Sequence, residues 1–429
     1  MTNQAIMMGK PGRQQVEEAS QRLKRMFQIE RELMKTLGGY LVSVSDWELK
    51  KRLPKHIWQD SLRAHALRTR VLELRYPRRD VDQDHDPNLQ QLLAVLIRCR
   101  SDAELLEGVF FVVKSAMCEA YEAYLADADP LDDAPTTEFM ANFVPQLRQQ
   151  IAEAERIYAA LPDREPVRPT EWQTDLAALL QEIGGVAGNG FTATEPEELP
   201  PRLRRPAYVP PLHPARDPKF EYAAYHLPKE MPVKFIDRQV WQGINHVNEI
   251  FSSEITALVL WKWDGMPWEF YLDCARWSFD EARHCMMGEE RLAAWGFRAG
   301  VDYPICADPY VSNSAYGEEA VFALLHRFEM NGPNLKSKLK HEFEQVGDTA
   351  SSQDFDYDWA DESIHLQYGY KWLLHRMGND DEKYEAIREQ AYYRYWKEFL
   401  VREHEKWDYE PFRTRIAAKI EAIEAEAHE

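Results

Sequence analysis

No two of the five cysteines (Cys99, Cys118, Cys274, Cys285, Cys306) form a C-x-x-C pair. That spacing excludes a rubredoxin-type iron site, and an odd, scattered set reads as reduced thiols rather than a disulfide framework. Long uninterrupted apolar runs are also missing, so no stretch is expected to span a bilayer. Positive charge is short: 52 Lys and Arg stand against 72 Asp and Glu, a net charge of −20, and general affinity for nucleic-acid phosphates is not expected. The opening "MTNQAIMMGKPGRQQVEEAS" has no apolar centre of a secretory signal, which makes the cytoplasm the expected location. Period-2 alternation and Asn-Gly hairpin signals are absent as well, which removes the case for a sheet.

What remains is helix. Apolar spacing predicts helices over 14–41, 46–75, 88–126 with a break near Ser101, and 136–161, followed by a short one over 170–183. Eight prolines then fall between Pro196 and Pro218, the composition of an extended connector. A second helical region begins near Asp237, a plausible N-cap. Its first helix, "RQVWQGINHVNEIFSSEITALVLWKW", reads as continuous, and "DGMP" turns the chain into a second that runs to about Trp295. After a crossover a third helix starts beyond Ser314, and "NGPN" breaks or kinks it because Pro333 cannot donate a helical hydrogen bond. A fourth covers about 353–377, and the tail from Asp380 is helical too. The expected class is all-α: two four-helix bundles in tandem, joined by a proline-rich connector. The corresponding boundaries are 1–165, 166–234, 235–379 and 380–429.

The second bundle carries the chemistry. In "SFDEARHCMMGEERL", Glu281 and His284 lie three apart on the stripe Phe270, Cys274, Trp277, Glu281, His284, Gly288, whose four-and-three spacing is that of an inward seam. "WADESIHLQYGYKWL" repeats the pattern with Glu362 and His365 on the stripe Phe355, Asp358, Glu362, His365, Gly369, Trp372. Carboxylates driven into one core repel, and a cation among them removes that cost. The other two helices are expected to add a carboxylate each. On the first, Glu254 sits on the stripe Val247, Phe251, Glu254, Leu258, and its rival Glu249 lies off it. On the third, Glu329 follows Phe322 and Leu325, with Glu318 and Glu319 as competitors. Glu, Glu-x-x-His, Glu, Glu-x-x-His is the donor order of carboxylate-bound dinuclear centres, and oxygen with imidazole suits iron or manganese.

Asp280 and Asp361 precede the two Glu-x-x-His motifs, and each is a candidate acceptor for the second ring N–H of the opposite helix's histidine. His326 is a candidate outer partner or additional ligand, with a satisfied core histidine as the competing reading. Tyr271 and Tyr368 are near the motifs in sequence, with core packing as their default role.

"NEIFSSEITALVL", "DEARH" and "DESIHLQYGYKWL" together resemble the DUF455 domain of the ferritin-like superfamily, over about 235–378. The resemblance implies a non-haem dinuclear metal centre on Glu254, Glu281, His284, Glu329, Glu362 and His365, and no particular substrate. "LPKHIWQDSLRAHALRTRVLELR" makes the first half similar to a second ferritin-like bundle, but it contains no Glu-x-x-His and is expected to be metal-free. The resulting expectation is an enzyme, an oxidoreductase with two Fe (or Mn, or one of each) that uses O2 on a small organic substrate. An external electron donor is expected and a homodimer is a candidate assembly. Peroxide handling and non-enzymatic metal binding are the competing expectations.

Overall fold

A computed structural model describes residues 14–84, 86–188, 198–226 and 232–426; of the expected connector segment 166–234, residues 189–197 and 227–231 lie outside these. The protein is all-α: the described residues contain no strand and one isolated bridge between Ala299 and Tyr303. None of their helices is long and apolar enough to cross a membrane. The chain divides into two compact units, 1–33 with 59–208 and 34–58 with 209–429. One division falls at 208/209, and residues 34–58 count with the second unit.

The first unit is built from α1 (Val16–Tyr40), α2 (Trp47–Glu73), α3 (Pro87–Leu96), α4 (Asp102–Leu106), α5 (Ser115–Asp127), α6 (Ala134–Ala160) and α7 (Glu171–Glu182), with a π-helical stretch, Glu107–Lys114, joining α4 to α5. α1 and α2 each continue into the second unit. Ser101 caps α4 through its hydroxyl, which accepts from the Glu104 N–H, and so places the expected break. The long helices bring polar side chains together in the interior. Arg63 of α2 donates to Glu30 of α1 at 2.7 and 3.0 Å and also reaches Asp60, one turn before it. Lys114 donates to Asp60 and Gln150 at 2.8 Å each, and the Tyr121 hydroxyl donates to Glu30 at 2.7 Å. Burial would raise the Glu30 carboxyl, while the Arg63 guanidinium opposes it. Two carboxyl groups thus meet two cations supplied by the chain itself.

The second unit contains α8 (Phe235–Asn248), α9 (Ile250–Lys262), α10 (Trp268–Ala294), α11 (Asp308–Ser314), α12 (Glu318–Glu329), α13 (Gly332–Gln345), α14 (Thr349–Arg376), α15 (Asp381–Tyr393), α16 (Leu400–Lys406) and α17 (Glu410–Glu426), with a π-helical stretch, Arg394–Phe399, after α15. α10 packs against α8, α9 and α14, and α13 runs along α14. The helix break at "NGPN" separates α12 from α13. The expected continuous first helix is divided: α8 ends at Asn248 and α9 begins at Ile250. α8 and α10 cross closely at Gly288, where a β-carbon would lie 2.7 Å from the Gly243 carbonyl oxygen and from the Val247 nitrogen.

The buried network of the first unit generates one prediction. Arg63→Met leaves Glu30 and Asp60 with Lys114 alone, and about 3–5 kcal/mol of stability should be lost in urea unfolding. Adding Glu30→Gln to that variant should recover part of the loss, because one of the stranded charges is gone.

Candidate metal centre

Both predicted stripes are the buried faces of their helices. Phe270, Cys274, Trp277, Glu281, His284 and Gly288 are all buried on α10, as are Phe355, Asp358, Glu362, His365, Gly369 and Trp372 on α14. They place the two Glu-x-x-His motifs face to face. Glu281 reaches both: its Oε2 lies 3.5 Å from His284 Nδ1, and its Oε1 lies 3.2 Å from His365 Nδ1 and accepts from Trp277 Nε1 at 2.8 Å.

Around this carboxylate stand two groups of four potential donors each. The first is His246, Glu249, His284 and Asp358; the second is Glu281, Glu329, Glu362 and His365. In the first, His284 Nδ1 is 3.3 Å from Glu249 Oε2 and 3.6 Å from Asp358 Oδ1, and His246 Nε2 is 3.8 Å from Glu249 Oε2. Four donors placed about 2.1 Å from a central ion in a tetrahedron lie about 3.4 Å apart, so this spacing fits a metal.

The unmet hydrogen-bonding capacity points the same way. His246 Nε2, Glu249 Oε2, His284 Nδ1, Asp358 Oδ1, Glu362 Oε2 and His365 Nδ1 are buried without a hydrogen-bond partner. His246 Nε2 comes within 2.9 Å of Asp358 Oδ2, but without hydrogen-bond alignment. Buried polar atoms without partners are rare, and six in one place match the inward face of a cation site. On the opposite ring nitrogens, His284 Nε2 faces Asp361 Oδ2 at 3.3 Å, and His365 Nε2 faces Asp280 Oδ2 at 3.4 Å. Each histidine is therefore oriented by the aspartate of the other helix. Arg276 and Arg283 bridge the two aspartates, Arg276 at 2.7 Å to Asp280 and 3.3 Å to Asp361, Arg283 at 2.5 and 3.1 Å.

Glu254 requires a correction. It is fully buried but stands in neither group. Arg216 donates to its two oxygens at 2.7 and 3.0 Å, and Lys50 pairs with it as well. Glu249 takes the expected place, because the chain tightens there: the Glu249 N–H donates to the His246 carbonyl and the Ser252 N–H to the Glu249 carbonyl, each three residues back. Such a turn rotates everything after it relative to an unbroken α-helix. The buried Asn248 amide holds it, donating to the Ile244 and Pro304 carbonyls and accepting from the Cys306 N–H.

The other expected neighbours divide. His326 is not among the donors; its Nε2 meets the Tyr384 hydroxyl at 2.7 Å, and burial with nearby Arg388 and Arg327 lowers it to about 3. The Tyr271 hydroxyl donates to the Trp263 carbonyl at 3.0 Å, away from both groups. Tyr368 is half-buried beside Trp277, with ring centroids 6.5 Å apart.

Sequence reasoning missed His246, Lys336 and the donor role of Asp358. His246 and Glu249 form a His-x-x-Glu pair at the same helical spacing as the other motifs, and Asp358 lies one turn before Glu362, so both carried a readable signal. Lys336 did not, being placed by the break before α13. Its Nζ donates to Glu249 Oε1 and Asp358 Oδ2 at 2.6 Å each and lies 3.8 Å from Glu362. Gly332, at the start of α13, lets Glu362 lie against the backbone; a β-carbon there would be 2.3 Å from Glu362 Oε2.

Five carboxyl groups therefore share the centre with one lysine. Without metal, burial and then the neighbouring Glu362 push Glu329 well above the usual carboxyl range, and burial takes Glu362 to about 7. Burial would also raise Glu281, yet the nearby imidazoles of His284 and His365 hold it at about 2. Burial opposes charge on His365, but Asp280 and Glu281 raise it to about 9. A cavity of about 320 Å³ opens onto Glu249, Glu281, Glu329 and Glu362. Its walls include Phe251, Leu325, Phe328, Leu335, Tyr395 and Trp396.

His365 gives a pH prediction for the chelator-treated protein. Its folded value lies above the ordinary 6.5, so its stabilising contribution is complete below 6.5 and is lost as pH rises through about 9. Calorimetry should show the metal-free protein melting earlier as pH goes from 7 to 10, with a shallower fall in His365→Gln.

No curated protein and no solved structure matches the chain. One family does, over residues 191–410, which is just over half of the sequence and takes in all eight donors. The chain belongs to the family described as protein of unknown function (DUF455).

Proposed function

We propose that the second unit binds two divalent iron or manganese ions and acts as a non-haem oxidoreductase that uses O2 to oxidise a small organic substrate. The observation that carries this reading is the set of six unpartnered buried donor atoms in a centre where five carboxyl groups meet a single ammonium. Two divalent cations with Lys336 would bring that excess to zero. His246, Glu249, His284 and Asp358 would hold one ion, Glu281, Glu329, Glu362 and His365 the other. A pair of redox metals held by these residues would supply the electrons for reaction with O2.

The chain's own residues do the rest. Asp280 and Asp361 fix the ring orientation of the two histidines and keep the donor nitrogens turned inward. Phe251, Leu325 and Phe328 make the cavity wall apolar, which favours an organic substrate and keeps water from the centre. All five cysteines are buried, and electrons are expected from a separate donor. The same reading takes both units as ferritin-like bundles. In the first, Arg63 and Lys114 already neutralise the buried Glu30 and Asp60, which supports a metal-free role there.

Elemental analysis of protein expressed with iron or manganese tests the centre. About two ions per chain are expected, with loss in Glu281→Ala and Glu362→Ala. Asp361→Asn should weaken metal binding about 10–100-fold while leaving every donor in place. The reduced, loaded protein should consume O2. Loaded protein that ignores O2 but decomposes hydrogen peroxide would overturn the O2 reading in favour of peroxide handling, and protein that never binds metal would overturn the centre itself.

A further inference from the structure

We infer that the two cation positions are unequal: the His246 position is a closed, nitrogen-rich site for the later metal, and the Glu329 position is an oxygen-rich site for the earlier metal, facing the substrate. This rests on the dinuclear reading above and goes beyond it in assigning each position a metal preference and a side.

Three observations on the structure separate the positions. The first is donor type. His246 and His284 give the first group two imidazoles among its four donors, whereas His365 is the one imidazole of the second. Affinity rises along the series from manganese through iron to cobalt, and imidazole suits the later ions while carboxylate suits manganese. The second is rigidity. Lys336 holds Glu249 Oε1 and Asp358 Oδ2 at 2.6 Å each, leaving Glu249 Oε2 and Asp358 Oδ1 turned to the donor cluster, so each carboxylate offers one oxygen. His246 and Glu249 sit on the tightened turn anchored by Asn248. Glu329 and Glu362 lie outside this clamp: Lys336 is 3.8 Å from Glu362, and Glu329 stands at the end of α12, where the helix breaks.

The third observation is access. Glu281, Glu329 and Glu362, three of the second group's four donors, line the 320 Å³ cavity, while of the first group only Glu249 does. On its other side His246 stacks on Phe355 at 5.0 Å, beside a cavity of only about 10 Å³. A small molecule in the cavity therefore meets the second ion, and the first serves as its fixed neighbour. In a cell supplying both metals, iron would settle at the His246 position and manganese, or a second iron, at the Glu329 position.

The test uses the full chain, stripped by chelator and given one equivalent each of Co2+ and Mn2+ without O2. Cobalt absorption and manganese spin resonance report the two ions separately. The expected result is one of each per chain, with azide perturbing the manganese signal and leaving cobalt absorption unchanged. His246→Ala should weaken cobalt binding at least about tenfold with manganese kept, and Glu329→Ala the reverse. An even distribution of both metals over two filled positions, or azide acting on cobalt, overturns the inequality and leaves the dinuclear centre standing. Wild-type protein that takes up neither metal overturns both. The azide arm needs no substitution, so a variant that fails to fold does not remove the test.

Discussion

Like charges confined in a dry interior must be neutralised, and this one requirement organises both units. Glu30 and Asp60 in the first unit are met by Arg63 and Lys114, carboxylate for cation, within the chain. Five carboxyl groups in the second unit meet Lys336 and three histidines. Protonation can relieve part of the repulsion, as the raised values of Glu329 and Glu362 show, but it leaves donor atoms aimed at nothing. A deficit that side chains leave open sets this cluster apart from a buried ion pair and is the basis of the proposed cation site. The third cluster of potential ligands, His226, Cys306 and Asp308, shows the contrast: both ring nitrogens of His226 and both oxygens of Asp308 are already engaged, by each other, Asn245 and Tyr395.

The outer layer follows from the same constraint. Asp280 and Asp361 add two more negative charges directly behind the histidines, and the structure answers with Arg276 and Arg283, each spanning both aspartates. This layer is closed in charge and in hydrogen bonding, so the imbalance stays confined to the eight donors and Lys336. The two guanidinium groups also tie α10 to α14, which fixes the separation of the Glu-x-x-His motifs independently of what lies between them.

Much of this was legible in the residues. The all-α class, the breaks at Ser101 and at "NGPN", and the inward stripes of α10 and α14 follow from local spacing, and local spacing is what a single sequence displays. The reciprocal aspartate–histidine pairs were legible for the same reason, since each sits one residue from its motif. The first helix was not. Nothing at 248–250 breaks a helix by propensity; the turn is held by the Asn248 side chain reaching Pro304 and Cys306, more than fifty residues onward. A tertiary contact thus rotated the register and exchanged Glu254 for Glu249. Lys336 was hidden in the same way, because its position depends on how α13 departs from the break and returns along α14.

The hairpin tip at 34–58 has a bearing on heredity as well as on packing. Lys50 shares the burial of Glu254, Trp47 Nε1 donates to Glu289 at 2.9 Å, and Gly38 lies so close to α9 that a β-carbon would stand 2.9 Å from the Ala257 carbonyl oxygen. At the other end, Ile416, Ile420 and Ile423 of α17 cover Val240, Ile244 and Leu292. Both contributions lie outside the family span of 191–410. The recognised family segment is therefore not a portable module. A gene fusion or duplication carrying that segment alone would inherit the eight donors without the side chains that cover its core, so residues 34–58 and α17 must accompany it for that core to stay closed.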